Sequence, residues 1–332
     1  MTTATHAFSR NLLKLDAAAE VDRICDWMRE TIAVDFKRKG LVLGLSGGID
    51  STVCAALAVK AFGPNRVFGI MMPERDSEAD SLALGELLAE SLGLESTTEN
   101  ITPMLDGAGC YQRRDAAIQS VIPEYQPDWK NKLVLPPLLA GARFSLSSIV
   151  VQSPSGERKQ ARLTLDAYQT IVAATNFKQR CRKMMEYYHA DRLRYAVIGT
   201  PNRLEYDQGF FVKQGDGAAD IKPIAHLYKT QVYAMASHLG VPDAICNRAP
   251  TTDTYSLPQG QDEFYFALPY PQMDLCLWGK NHGVAPAEVA PAVGLTADQV
   301  ERVYRDLDQK RATTRYLGLA PQLCGDVPEI RH

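Results

Sequence analysis

The sequence predicts an α/β protein on a doubly wound, mostly parallel sheet of Rossmann-like form, with an inserted β-hairpin region and C-terminal helices. Three observations carry this. Short apolar runs of strand length alternate with helix-period segments over residues 41–101. A turn rich in glycine and serine joins the first run to the first helix of that alternation. Another apolar run, at 195–200, follows a long helical stretch. Strands buried on both faces read as continuous apolar runs, and parallel neighbours need right-handed helical crossovers.

Taken in order, residues 12–36 read as a leading helix. LVLGL at 41–45 reads as a buried strand. The helix at 51–62 places Val53, Ala56 and Leu57 on one face, and VFGIMM at 67–72 is the second strand. The helix at 77–92 lines up Leu84, Leu87, Leu88 and Leu92 and stops at Gly93 in a C′ position. Residues 96–101 give a third strand. Residues 103–166 break the alternation, with five prolines before a hairpin whose arms, 144–152 and 158–165, flank SPSGE. Helical period returns at 166–194. A helix at 229–239 carries Val232, Met235, Ala236 and Leu239 and ends at Gly240 and Pro242. In the last helix, 296–316, Thr296 and Gln299 form a capping box ahead of Val300, Val303, Tyr304 and Leu307. The whole chain, 1–332, is expected to be a single domain, with 103–166 inserted and 284–332 as a C-terminal helical segment.

The chain has 332 residues, 45% hydrophobic and 23% charged, which excludes disordered, collagenous and coiled-coil classes. A formal net charge of −3 gives no general attraction to nucleic acid. No apolar run is long enough to suggest a membrane span. The N-terminal residues carry acids and no apolar signal core, so a cytoplasmic location is expected. Seven cysteines, an odd number without CxxC, are expected to be reduced core thiols.

The strongest chemical signal is Gly44-Leu45-Ser46-Gly47-Gly48-Ile49-Asp50-Ser51, between strand and helix. Small residues admit a phosphate close to the backbone, two serines offer hydroxyls, and the following helix presents its positive end. The segment is neither GK[ST] nor GxGxxG. Gly199-Thr200-Pro201-Asn202-Arg203-Leu204-Glu205 follows a buried strand, at the strand end where open α/β sheets bind ligands. Glu205 is there either a ligand-site carboxylate or an ordinary helix-start acid. Residues 209–220 form a glycine-rich turn with Lys213, Asp216 and Asp220, equally readable as a surface loop. Lys229 opens a helix, where a cation opposes the helix dipole, so a ligand role is expected. Arg180 shares a stripe with Phe177, Cys181, Met184 and Tyr188, as a cleft or interface arginine would. The competing reading is a solvated basic face with Lys178, Arg182 and Lys183.

The octapeptide is similar to the SGGxDS loop of the N-type ATP pyrophosphatases, a family of adenine nucleotide alpha hydrolase-like fold. Taken with Asn176-Phe177-Lys178-Gln179-Arg180, the 199–205 loop, the 209–220 turn and the helix from Lys229, the chain resembles the ammonia-dependent NAD⁺ synthetase family. That resemblance implies a ligase that adenylates the carboxylate of nicotinate adenine dinucleotide (deamido-NAD) and forms NAD⁺ with ammonia, releasing AMP and pyrophosphate. It implies ATP contacts along Gly44–Ser51 and at Thr200, Lys229 and Thr251, with Mg²⁺ on Asp50 and Glu205. It implies dinucleotide contacts at Arg180, Lys213 and Asp220, with Asp50, Glu205 and Lys229 serving catalysis. A homodimer is also implied, and the apolar helix face bearing Phe177, Met184, Met185 and Tyr188 is expected at its twofold axis.

Three segments depart from the family pattern. Residues 103–166 are longer. Residues 254–283 are aromatic-rich, with only Gln261-Asp262-Glu263 matching the family's acidic stretch. For a C-terminal His-Lys pair, Lys310-Arg311 is the nearest candidate. Alternatives are the same chemistry on another carboxylate such as a sugar acid, tRNA thiolation, or a nucleotide-sensing module. The absent CxxC and the net charge argue against thiolation, and the two carboxylates against a sensor. No histidine pairs with a nucleophile, and nothing nominates Cys25 as a glutaminase nucleophile. With about 40 residues before the first strand, ammonia is expected to arrive free or from a separate glutaminase.

Overall fold

The computed structural model describes residues 8–134, 147–248, 251, 254–260, 265–266, 268–325 and 327–329. From the N-terminus, α1 (Ala17–Glu30), β1 (Leu41–Gly44), α2 (Ile49–Phe62), β2 (Val67–Met71), α3 (Ala79–Leu92) and β3 (Glu95–Thr98) carry the alternation. Next come α4 (Thr102–Gly107), α5 (Cys110–Gln119), β4 (Lys130–Val134), β5 (Ser148–Gln152) and β6 (Arg158–Arg162). They are followed by α6 (Leu165–Leu193), β7 (Ala196–Val197), α7 (Arg203–Gln208), α8 (Lys229–His238) and α9 (Asp243–Cys246). The C-terminal helices are α10 (Tyr270–Asn281), α11 (Pro286–Val293) and α12 (Ala297–Thr314).

The central sheet runs β3-β2-β1-β7, all parallel. β1 opposes β2 from Leu41↔Val67 to Gly44↔Ile70. Side chains alternate across it. Leu41, Leu43 and Val67 face a core shared with α1, α2 and α8. Val42, Phe68, Ile70 and Val197 face a second core with α4, α5 and α6. Both faces are therefore covered, as a doubly wound sheet requires. β7 is shorter than the predicted 195–200 strand; the Ile198↔Ile221 bridge continues its line.

Several expectations need correction. The leading helix starts only after Asp16, whose carboxylate accepts from the Ala19 N–H at 3.1 Å. A 3₁₀ turn at Arg10–Leu13 precedes it and a π turn at Thr31–Asp35 ends it. Leu87 is exposed rather than on the buried face of α3; the lines that pack inward pass through Leu84, Leu88 and Leu92. The hairpin is part of a three-stranded antiparallel sheet, β4-β5-β6. β4 was missed because its inward residues are Asn131 and Leu133, not an apolar series. The start of the predicted first arm, 144–146, lies outside the described residues. All seven thiols are free, but Cys324 is exposed.

The antiparallel sheet is anchored at two places. Its core residues, Leu133, Ile149 and Val151, pack with α5, Ile171 of α6 and Tyr255. β4 also grips the chain at 256–259. The Asn131 N–H donates to Ser256 Oγ at 2.8 Å, and the Asn131 carbonyl accepts from the Leu257 N–H at 3.0 Å. Gln259 Nε2 donates to the Leu133 carbonyl at 2.5 Å. Among the described residues, no helix is long and apolar enough to cross a membrane.

Candidate active site

A cavity of ≈ 600 Å³ opens at the carboxyl ends of β1 and β2. Its floor is the 44–51 turn. Leu45 is still tied to the sheet, its N–H donating to the Ile70 carbonyl at 2.8 Å. The chain then reverses through Gly47 at φ +70°. A Cβ on Gly47 would stand 2.8 Å from Leu84 Cβ, so this position needs glycine for both conformation and space. The Ser46 and Ser51 hydroxyls are 2.9 Å apart, Gly48 N–H donates to Ser46 Oγ at 3.2 Å, and Ser51 Oγ donates to the Gly48 carbonyl at 3.0 Å. α2 starts at once, aiming its unpaired N–H groups at the cavity.

One wall carries charge. Asp50, in the first turn of α2, ion-pairs with Lys229 at the start of α8 and accepts from Asn202 Nδ2 at 3.2 Å. Lys229 is fully buried; burial would lower its pKa, but Asp50 and then Glu205 outweigh it and raise it. Glu205 is a helix-start acid that also reaches the cavity. Its Oε2 accepts from the Asn202 N–H at 3.1 Å, closing the capping box of α7, and it lines the cavity. Burial, followed by the nearby Asp50 charge, pushes its carboxyl up to about 8. Two carboxylates facing a cavity beside a turn of small residues at a helix start suit a hard divalent cation that also takes phosphate oxygens. Among the described residues no cluster of three or more acidic, histidine or cysteine ligands exists.

A second set of lining residues comes from α6, the 209–220 turn and residues 316–317. Arg180 and Lys213 line the cavity, and Arg180 Nε donates to the Lys213 carbonyl at 3.3 Å. Lys213 Nζ donates to the Tyr316 carbonyl at 3.0 Å and lies over the Tyr316 ring. Lys178 and Lys183 are buried in ion pairs, with Glu74, Asp76 and Glu186. The solvated-face reading of these lysines is thereby overturned. Met184 and Tyr188 of the predicted apolar stripe are more than half exposed, while Cys181 is buried.

Most of the predicted residues meet here: Gly44, Leu45, Ser46, Gly48, Ile49, Asp50, Ser51, Thr200, Glu205, Lys229 and Thr251 with Arg180 and Lys213. Gly47 shapes the turn from behind. Asp220 stands apart, exposed, its Oδ2 accepting from the Val197 N–H at 2.7 Å and Oδ1 from the Tyr187 hydroxyl at 3.4 Å. Lys310 and Arg311 do not line the cavity. Lys310 pairs with Asp306 at 2.7 Å, and Arg311 holds Asp207 through Nε at 2.6 Å and Nη2 at 2.8 Å. Gln261-Asp262-Glu263 lies outside the described residues.

Sequence reasoning missed Asp274 of α10. Its two carboxylate oxygens accept from the Lys229 and Thr230 N–H groups at 3.2 and 2.8 Å. The charge that offsets a cation at a helix start is therefore supplied from another helix. It also missed Arg248, whose guanidinium reaches the Ser46 carbonyl. Neither residue sits in a patterned stretch that would have signalled it.

A family model described as NAD synthase matches residues 20–119 and 145–315. The NH(3)-dependent NAD(+) synthetase of Rhizobium meliloti is 58% identical over 323 residues, covering 97% of this chain and 96% of its own. The protein of the same name from Thermotoga neapolitana is 35% identical over 259 residues, 77% of this chain and 82% of its own. Among solved structures, an NMN synthetase from Francisella tularensis aligns with TM-score 0.63 at 24% identity, covering 93% of this chain and 100% of that one. An NH3-dependent NAD synthetase from Campylobacter jejuni aligns with TM-score 0.60 at 22% identity, covering 94% and 100%. At these identities the two structures speak for the fold alone.

Proposed function

The chain belongs to the NAD synthase family, and from that membership we propose that it amidates the nicotinate carboxylate of deamido-NAD with ammonia at the expense of ATP. The observation that carries this reading is one cavity holding the Ser46–Ser51 turn, the Asp50–Lys229 pair and Glu205 on one side and Arg180 with Lys213 on the other.

A carboxylate is a poor electrophile because its oxygen leaves badly. Here that oxygen attacks the α-phosphorus of ATP, the α–β bridging bond breaks, and its electron pair leaves with pyrophosphate. Ammonia nitrogen then attacks the activated carbonyl carbon, AMP departs with the former carboxylate oxygen, and a proton is lost to solvent. The 44–51 turn and the start of α2 hold the pyrophosphate portion through backbone N–H groups and the Ser46 and Ser51 hydroxyls. Thr200 and Thr251 contact ATP from the rims of the cavity. Asp50 and Glu205 would hold Mg²⁺, which supplies charge neutralisation at the phosphates when bound. Lys229, fixed by Asp274 below and Asp50 in front, keeps a positive charge at the transferring group. Arg180 and Lys213 bind the anionic dinucleotide. Asp220 is a dinucleotide contact across a homodimer interface, where the exposed Met184 and Tyr188 of α6 would be covered.

The test is turnover of purified protein with ATP, Mg²⁺, ammonium and deamido-NAD. AMP, pyrophosphate and NAD⁺ should appear in equal amounts. ADP and phosphate as products would refute the reading. Amidation of another carboxylate, such as a sugar acid, without NAD⁺ formation would move the acceptor and keep the chemistry.

A further inference from the structure

Arg248 sits over the 44–51 turn. Its Nη1 lies 3.5 Å from the Ser46 carbonyl oxygen and 3.1 Å from where a Cβ on Gly47 would stand. Its Nη2 donates to Glu78 Oε2 at 2.7 Å and to Ser81 Oγ at 2.9 Å. All four residues, Ser46, Glu78, Ser81 and Arg248, line the cavity. The arginine side chain is 16% exposed, and Nη2 is already held between Glu78 and Ser81.

The chemistry of the turn leaves a need for such a group. Ser46 and Ser51 offer neutral hydroxyls bonded to each other, and the backbone N–H groups are neutral donors. Lys229 has its charge matched by Asp50. A departing pyrophosphate gathers several negative charges at this turn. A planar guanidinium suits two phosphoryl oxygens at once, and one that is already oriented loses little freedom in binding them. Glu78 carries the same sign as phosphate and holds the same nitrogen, so acid and ligand compete for one cation.

Building on the ligase reading above, we propose that Arg248 is a pyrophosphate-contacting catalytic residue whose guanidinium exchanges Glu78 for the β- and γ-phosphoryl oxygens when ATP binds. Ser81 steadies the exchange, since its hydroxyl stays beside Nη2 throughout. As the bond between Pα and the bridging oxygen breaks, the electron pair moves onto the pyrophosphate, and Arg248 meets the charge that collects there.

The experiment compares Arg248→Met, Arg248→Lys and Glu78→Gln with the unaltered full-length protein. Inorganic pyrophosphate with Mg²⁺ is titrated calorimetrically, and AMP formation is followed at varied ATP and varied deamido-NAD. Arg248→Met should weaken pyrophosphate binding and lower kcat/KM for ATP by about 10- to 100-fold, the range of a charged hydrogen bond. The KM for deamido-NAD should stay nearly constant. Arg248→Lys should recover part of the loss. Glu78→Gln should tighten pyrophosphate binding, because the competing acid is gone. A latch that merely ties Glu78 to the turn would give the other pattern, with both Arg248→Met and Glu78→Gln weakening binding alike and lowering thermal stability. That pattern, or pyrophosphate binding unchanged in Arg248→Met, overturns the assignment. Unaltered protein that binds no pyrophosphate and forms no AMP overturns the ligase reading, and this inference with it.

Discussion

Replacing Lys178 by methionine removes the cation from the most buried ionic cluster beside the cavity. The Lys178 side chain is 1% exposed, and Nζ lies 2.8 Å from Glu74, 0% exposed, and 2.8 Å from Asp76, 7% exposed. Arg114, itself 2% exposed, pairs with Asp76 and Asp115. Without Lys178, Asp76 keeps Arg114, but among the described residues Glu74 keeps neutral donors, the Tyr111 hydroxyl at 2.7 Å and the Asp76 N–H at 3.0 Å. Leaving one such charge uncompensated costs about 3–5 kcal/mol. For a chain of 332 residues, at about 2.1 cal/mol/K of unfolding entropy per residue, that lowers Tm by about 4–7 °C. Urea unfolding followed by circular dichroism measures the loss. Adding Glu74→Gln to Lys178→Met removes the stranded charge and should restore a large part of it. The pH dependence has a definite sign. Burial would raise the Asp76 carboxyl, but Lys178 and Arg114 outweigh burial and hold it below its ordinary value. A depressed folded-state value contributes stability above the unfolded value, and that contribution is lost as pH falls through the folded one. The gap between Lys178→Met and the unaltered protein should therefore narrow below about pH 4. A loss under about 1 kcal/mol, the range of an exposed pair, would refute the reasoning, as would a double variant less stable than the single one.

Asp50→Asn should abolish AMP release with circular dichroism unchanged, because Lys229 retains Glu205 nearby; near-normal turnover would sink the metal assignment. Gly47→Ala should cost about 2–4 kcal/mol, combining a left-handed backbone with a side chain forced against Leu84, measured by denaturant titration. In Arg180→Ala the KM for deamido-NAD should rise far more than that for ATP, as steady-state kinetics would show. Deleting Ser153–Glu157, an exposed turn outside the cavity lining, should leave the rate of amide formation largely unchanged, read by NAD⁺ production.

What could be read from the sequence was chemistry packed into one short segment. The 44–51 turn carries its glycines, serines and Asp50 in eight adjacent residues, and the strands on either side are continuous apolar runs. Glu205 was legible as a helix-start acid for the same reason: its capping partner, Asn202, is three residues away. What could not be read depends on distant partners. Asp274 lies 45 residues from Lys229, so the puzzle of a cation at a helix start was visible and its resolution was not. Lys178 looked like a solvated charge because a helix repeat cannot reveal acids arriving from Glu74 and Asp76, on a loop after β2. Asp220 has the motif's spacing, yet in a single chain its carboxylate is spent on the Val197 N–H.

The antiparallel sheet connects solvent to the cavity wall. Its far turn, Ser153–Glu157, hangs in solvent. Its near strand is hydrogen-bonded to Ser256, Leu257 and Gln259. Tyr255 is buried among the apolar residues of this sheet, and both Thr254 and Tyr255 face the cavity. Lys178 also holds this segment, donating to the Thr254 carbonyl at 2.8 Å. Tolerance to sequence change should thus fall steeply from tip to root. Changes of length at the hairpin's end should be tolerated, while a change at Asn131 or Leu133 should shift Thr254 and Tyr255 in the cavity wall with the other lining side chains still in place.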